Sequence, residues 1–396
     1  MTDATISVPE SEAEARPAWG AVLAMTFGVF GLVGAEFLPA SLLTPMAGDL
    51  GISEGMAGQA VTATAAVALV TSLLITVVTR KLDRRLVLLG LSVLLIFSNL
   101  LVAMSSNLPM LLAGRVLLGM ALGGFWTLSA ATMMRLVPEA LVAKALSIMF
   151  LGVSLATVFA APVGSYVGDI VGWRNVFLGA AVLGAVALVV QFATLPSLPP
   201  HGHSRFGTLV EVLARPGVGF AMLAILLVFT GHFAFFTYIR PFLETVTGVG
   251  VEGVSVVLLG FGIATFFGNY LGAVLLERSM RFTLTLMPLV MAVLALSLSA
   301  FGGSLFGDAA MVALWGLAFG AVPVAWSTWI TRAVPDEAES AGGLFVAAIN
   351  FAIATGAAAG GALFDANGVS SVFVASGVVL FLAALTIVST VRTRPA

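Results

Sequence analysis

Glu36, Arg115 and His232 are ionisable residues set deep inside long apolar runs, where a charge is costly. Glu36 stands nine residues before Pro45, about 14 Å from the end of its run if the segment is helical. Its side chain is too short to reach polar surroundings from that depth, so it must face other helices or a water-filled cavity. A carboxyl group so placed suits proton exchange or substrate contact; the alternative is a structural pair with a neighbouring helix. Arg115 follows Leu108 by seven residues, about 10 Å from the same face of the membrane. A guanidinium there needs a carboxylate or carbonyl partner, and Glu36 matches it by depth. His232 carries a ring whose ordinary titration falls near neutrality, which suits a proton relay, although a lone imidazole in a helix also serves as a hydrogen-bonded core residue.

The elements that hold these residues are membrane-spanning helices. The chain has 396 residues, 60% hydrophobic and only 9% charged, against roughly 25% charged in soluble domains. Apolar runs long enough to cross the hydrocarbon layer occur at 19–45, 56–79, 86–105, 109–134, 144–168, 174–195, 217–243, 252–276, 282–302, 307–331, 340–362 and 369–390. The expected fold is therefore all-α and polytopic, with twelve transmembrane helices. Residues 1–18 read as a disordered tail, 196–216 as a polar linker and 391–396 as a second tail, leaving 19–195 and 217–390 as six-helix bundles. Of the 17 Lys and Arg, all but Arg115, Arg174 and Arg240 fall in segments on one side of the membrane, which predicts that both termini are cytoplasmic.

Several function classes are disfavoured by what the sequence lacks. It has no Cys, so disulfides and thiolate metal sites are excluded. His201 and His203 in the linker, as "HGH", read as solvated rather than metal-binding. No phosphate-binding loop points to an ATP-driven pump, and no paired carboxylates or H-E-x-x-H motif points to a membrane enzyme. No cofactor is expected beyond a proton gradient; the expected partners are a small-molecule substrate, protons and the lipid bilayer. A nucleic-acid partner is not expected, and the chain is read as a monomer.

The two halves repeat each other. "LLGMALGG" followed by "MRLVPEA" answers "LWGLAFGA" followed by "TRAVPDE", so Gly119, Gly123, Arg135 and Pro138 match Gly316, Gly320, Arg332 and Pro335 at one offset of 197 residues. Further on, "GWRNVF" answers "GVSSVF" at an offset of 196, which also sets Glu36 opposite His232 and Phe37 opposite Phe233. Parallel repeats of six helices are the pattern of secondary transporters, whose substrate site lies between the bundles near the midplane.

These residues resemble the major facilitator superfamily, in its drug:proton antiporter branch, over essentially the whole chain. The likeness is carried by "TRKLDRR" between the second and third spans, "GRVLLGMALGG" in the fourth, and Pro162 and Gly164 in the fifth. Thr79, Ala161, Ser165 and Tyr166 depart from the branch's usual residues. Within the branch, "AEFLPASLLTPMAGDLGISEGMAGQAVT", "FAFFTYIRPF" and "WSTWITR" resemble the purine ribonucleoside exporters of bacteria.

The resemblance implies a bacterial inner-membrane carrier that exports purine ribonucleosides in exchange for protons; drug or sugar efflux by the same fold is the alternative. It also ties Arg115 to coupling beside Glu36. A flat purine wants aromatic faces and amide or hydroxyl partners, which Phe125, Trp126, Thr127, Phe235, Phe236, Tyr238, Asn269, Trp326 and Asn350 offer, with Tyr270 beside them. Trp329 reads as an interfacial belt residue. Asp83, Arg84, Arg85 and Arg135, with Asp336, Glu337 and Glu339, are the expected gating contacts between helix ends, or else solvated surface charges.

Overall fold

The computed structural model describes residues 17–138, 141–199, 206–334 and 337–390. The tail readings before residue 17 and after 390, the His201 and His203 pair, Asp336 and the Glu339 side chain lie outside the described residues. Among the described residues the secondary structure is helical throughout, with twelve helices long and apolar enough to cross a membrane.

The first bundle contains α1 (Trp19–Ser41), its short continuation α2 (Leu43–Leu50), α3 (Glu54–Val78), α4 (Arg84–Ala103), α5 (Leu108–Leu136), α6 (Val142–Val171) and α7 (Trp173–Thr194). A short helix, α8 (Phe206–Leu213), occupies part of the segment read from sequence as plain linker. The second bundle contains α9 (Val218–Thr237), its continuation α10 (Ile239–Thr245), α11 (Val251–Arg278), α12 (Met280–Phe301), α13 (Leu305–Ala333), α14 (Ala338–Asn367) and α15 (Val369–Thr390). With twelve crossings, both ends of the chain emerge on the same face of the molecule, here called the terminal end.

Two spans read as continuous from sequence are broken, and both break at equivalent places. Leu42 interrupts the first span with φ −113° and ψ 13°. Tyr238, 196 residues on, interrupts the seventh with φ −110° and ψ 16°. The cause is Pro45 in one half and Pro241 in the other. Each lies in the first turn of the short continuing helix, where a missing N–H costs nothing, but each deprives the carbonyl four residues earlier of its donor. Elsewhere the ends follow side-chain chemistry: Ser53, Asn107 and Ser279 cap α3, α5 and α12 by accepting the N–H of Met56, Met110 and Phe282.

The repeated glycines mark where backbones meet. A Cβ on Gly119 would lie 2.4 Å from the Thr64 carbonyl oxygen, and one on Gly123 would lie 2.3 Å from that of Ala68, so both seat α5 against α3. Their counterparts Gly316 and Gly320 seat α13 against the carbonyls of Phe261 and Thr265 on α11. The second repeat has a different cause. Gly172 and Gly368 join consecutive antiparallel spans with φ of 87° and 78°, a region that glycine enters without a Cβ clash.

Among the described residues, the bundles share a packed interior towards the end far from the termini. There Ala40, Leu43, Ala47, Ala57, Val61, Ala65 and Ala161 of the first bundle merge into the apolar core of the second. α3 lies along α14 and α6 along α11, the latter so closely that a Cβ on Gly262 would sit 2.7 Å from Val158 Cα. Gly320→Ala is expected to lower stability by about 1–3 kcal/mol, read as a fall in Tm of the detergent-solubilised protein. An unchanged Tm would show that α13 can shift off α11 freely.

Candidate functional site

The prolines of α1 determine how the buried charges are held. Pro39 has no N–H, so the Ala35 carbonyl one turn earlier lacks its helical donor. Arg115 on α5, fully buried, supplies one: its Nη1 donates to the Ala35 oxygen at 2.9 Å and its Nε to the Ala60 oxygen of α3 at 3.3 Å. Its Nη2 has no partner among the described residues. The guanidinium thus ties α1, α3 and α5 together and is placed electrostatically beside Glu36 without an ion pair within 4 Å.

Glu36 itself lines a small cavity between the bundles. Phe37, Ala40 and Val61 of the first bundle and Phe233, Phe236 and Thr237 of the second complete the lining. Phe37 and Phe236 meet edge to face across the interface, their ring centres 5.5 Å apart. The cavity holds about 10 Å³, room for a single water rather than an organic substrate. Phe37, Ala40, Val61, Phe233 and Thr237 were not singled out for substrate from sequence; helical spacing from Glu36 and Phe236 signals Ala40 and Phe233, but not Phe37, Val61 or Thr237.

His232 turns the other way. Its Nδ1 accepts the indole N–H of Trp315 at 3.0 Å, and Phe319 stacks on its ring at 3.3 Å between centres. An indole can only donate, so Nδ1 carries a lone pair and the ring is held as a neutral tautomer. The pseudo-symmetry that pairs His232 with Glu36 in sequence therefore does not bring both into the cavity.

The other candidates are dispersed. Phe235 stacks on Trp315 at 3.8 Å and leans on Phe373, inside the second bundle. Tyr238 donates to the Ala357 carbonyl at 3.0 Å, and Phe125 is buried near Gly28 and Gln191. Trp126, half-buried, stacks on Phe150, while Thr127 bonds the carbonyls of Gly123 and Ser72. Asn269 is half-buried where α11 meets Gly320, and its neighbour Tyr270 is exposed on the outer surface. Asn350 donates to Val346 and keeps a buried Oδ1 without a partner among the described residues. Trp326 is buried against Trp329. The belt position expected for Trp329 is thus corrected: its ring packs inward against Trp326 instead of facing the lipid interface.

Of the expected gating residues, Asp83, Arg84, Arg85 and Arg135 make hydrogen bonds within the first bundle and to the start of the linker. Asp83 caps α4, accepting from the N–H groups of Arg85 at 2.8 Å and Leu198 at 2.9 Å and from the Ser197 hydroxyl. Slight burial pushes its carboxyl up, but these hydrogen bonds and the Arg135 charge outweigh that and hold it below the usual carboxylate range. The contact is therefore intact above about pH 4 and lost only in stronger acid. Arg84 donates to Thr79, Arg85 to the Phe192 carbonyl and Arg135 to that of Pro199. Among the described residues no group of three His, Asp or Glu side chains is placed to hold a metal ion.

Two six-helix bundles with a carboxylate and an aromatic cavity between them define a membrane carrier. Residues 25–348 match the Major Facilitator Superfamily, and the chain belongs to it: this is a transporter and not an enzyme. It is 49% identical over 381 residues to "Purine ribonucleoside efflux pump NepI" of Salmonella paratyphi C and of Salmonella typhimurium, covering 96% of each chain. Among solved structures it resembles a POT family transporter in complex with 5-aminolevulinic acid, with a TM-score of 0.79 at 12% identity over 94% of this chain and 96% of that one. It also resembles a D-xylose-proton symporter, with a TM-score of 0.76 at 17% identity over 95% and 97%.

If Pro39 is what makes Arg115 structurally necessary, restoring an N–H there should lessen the need. Arg115→Met is expected to destabilise the protein by about 2–3 kcal/mol, and by about 1 kcal/mol less in a Pro39→Ala background. Denaturation of the four proteins of that cycle measures the coupling. Strict additivity would mean that the Ala35 carbonyl is not what Arg115 serves.

Proposed function

We propose that the chain exports purine ribonucleosides in exchange for protons by alternating access, with the Glu36 carboxyl as the exchanging group. One observation carries the reading: Glu36 stands at the contact between bundles, in a cavity lined from both sides, so its charge state is felt wherever the bundles part or close. The relatives named as purine ribonucleoside efflux pumps support the substrate class.

With the far end packed shut, access runs from the terminal end; the placement of Lys and Arg supports a cytoplasmic terminal end, and the relatives named as efflux pumps support a bacterial inner membrane. A nucleoside is too large for a cavity of about 10 Å³, so loading requires the bundles to part further around Phe37 and Phe236, exposing flat faces for a base. The free Nη2 of Arg115 then offers a donor beside the carboxylate. A proton arriving at Glu36 removes its charge, weakens its hold on substrate, and lets the apolar lining close again.

Inosine movement into proteoliposomes, with and without an imposed pH gradient, tests this. Gradient-driven uphill inosine transport is expected in the parent protein. Glu36→Gln should lose the uphill component by about 100-fold or more while equilibrative exchange persists. Uphill transport by the variant would remove Glu36 from coupling. Movement of chloramphenicol or a sugar in place of inosine would reassign the substrate class.

A further inference from the structure

The closed far end is held by charges that one bundle supplies to helix ends of the other. Pro45 removes the donor that the Ser41 carbonyl would receive within α1. Arg240, on α10 of the opposite bundle and only 4% exposed, takes its place: Nη1 donates to the Ser41 oxygen and lies 3.4 Å from the Ser165 hydroxyl. Glu244, one turn along, fixes the guanidinium by accepting its Nε at 2.7 Å. A cation therefore sits on the carbonyl end of α1, where the helix dipole is negative.

Asp365, near the end of α14, does the converse. Its Oδ1 accepts the Gly55 N–H at 3.2 Å and its Oδ2 the Ser53 hydroxyl at 2.7 Å. Ser53 and Gly55 are the cap and second residue of α3, so an anion from the second bundle sits on the positive end of a helix in the first. Between these contacts Tyr238 fills the space left by two glycines: a Cβ on Gly58 would lie 2.1 Å from its hydroxyl and one on Gly361 would lie 2.6 Å from it.

We propose that Arg240 and Asp365 are positioning residues for transport, which close the far end by capping the C-terminus of α1 and the N-terminus of α3 in trans. Opening that end then requires two helix ends to lose charged caps together, so closure is all-or-none at these two points. Arg240 is buried and irreplaceable by water while the end is shut; Asp365 is exposed and screened, so it contributes less. The repeat duplicates only the acidic half of the device: the residue equivalent to Asp365 in the first half is Asp169, whereas the one equivalent to Arg240 is Thr44. The proposal rests on the alternating-access reading only for its role in transport; the contacts themselves can be tested without substrate.

The chain lacks Cys, so Gly48→Cys and Gly250→Cys, exposed positions where a Cβ meets nothing within 4 Å, place one spin label on each bundle at this end. Electron–electron distance measurement on the folded full chain then reads closed and open populations. Arg240→Met is expected to raise the long-distance population about tenfold and Asp365→Asn by less, with Arg240→Lys between parent and Met. Arg281→Gln removes an arginine–carbonyl bond that stays within the second bundle, to Val388, and should leave the distribution unchanged. The proposal is overturned if Arg240→Met leaves the distances as in the parent, or if Arg281→Gln shifts them equally. Loss of inosine transport with unaltered distances would likewise remove the gate role, whereas shifted distances without any inosine transport in the parent would keep the gate and reject the substrate.

Discussion

Two prolines in the first membrane helix set the terms for much of this structure. Inside hydrocarbon there is no water to satisfy a carbonyl that has lost its helical donor, and Pro39 and Pro45 leave two such carbonyls, on Ala35 and Ser41, less than two turns apart. Each is met by a buried arginine. Arg115 comes from within the same bundle and makes a permanent brace. Arg240 comes from the other bundle and makes a contact that must break whenever the bundles separate at that end. The same backbone defect thus yields a rigid element in one place and a separable one in the other.

Both arginines break the repeat on which the fold is built. Position 312, equivalent to Arg115, is Val, and position 44, equivalent to Arg240, is Thr. Glu36 has His232 as its counterpart, and that imidazole is locked by Trp315 into the second bundle's interior. Backbone features, by contrast, obey the repeat closely: the breaks at Leu42 and Tyr238, the helix contacts at Gly119 and Gly316, and the turns at Gly172 and Gly368 all recur. The halves share a scaffold, while Glu36, Arg115 and Arg240 have no like-charged counterpart in the other copy.

At the terminal end the charged residues do a quieter task. Asp83 and Arg135 fasten the ends of α4 and α5 to the first residues of the linker, and Arg85 ties α4 to the end of α7.

How much of this was legible in the sequence differs by the kind of force involved. Span count was readable because hydrocarbon selects apolar runs of a fixed length, and the repeat because close backbone contacts tolerate only glycine. Glu36 and Arg115 stood out because charge in that setting is rare, and Pro39 and Pro45 were equally visible as letters. What the letters did not contain was which side chain would answer each freed carbonyl. Depth alone pointed Arg115 at Glu36, while the packing of α1 against α5 aimed it at Ala35. Symmetry alone set His232 opposite Glu36, while the nearest hydrogen-bond donor turned it to Trp315. Phe235 and Phe236 are adjacent and chemically identical, yet a rotation of about 100° per residue sends one into the core and the other to the interface. Sequence determined the helices, their number and the places where their hydrogen bonding fails. The tertiary structure alone decided which partner fills each failure, because that choice depends on how neighbouring helices are rotated against each other.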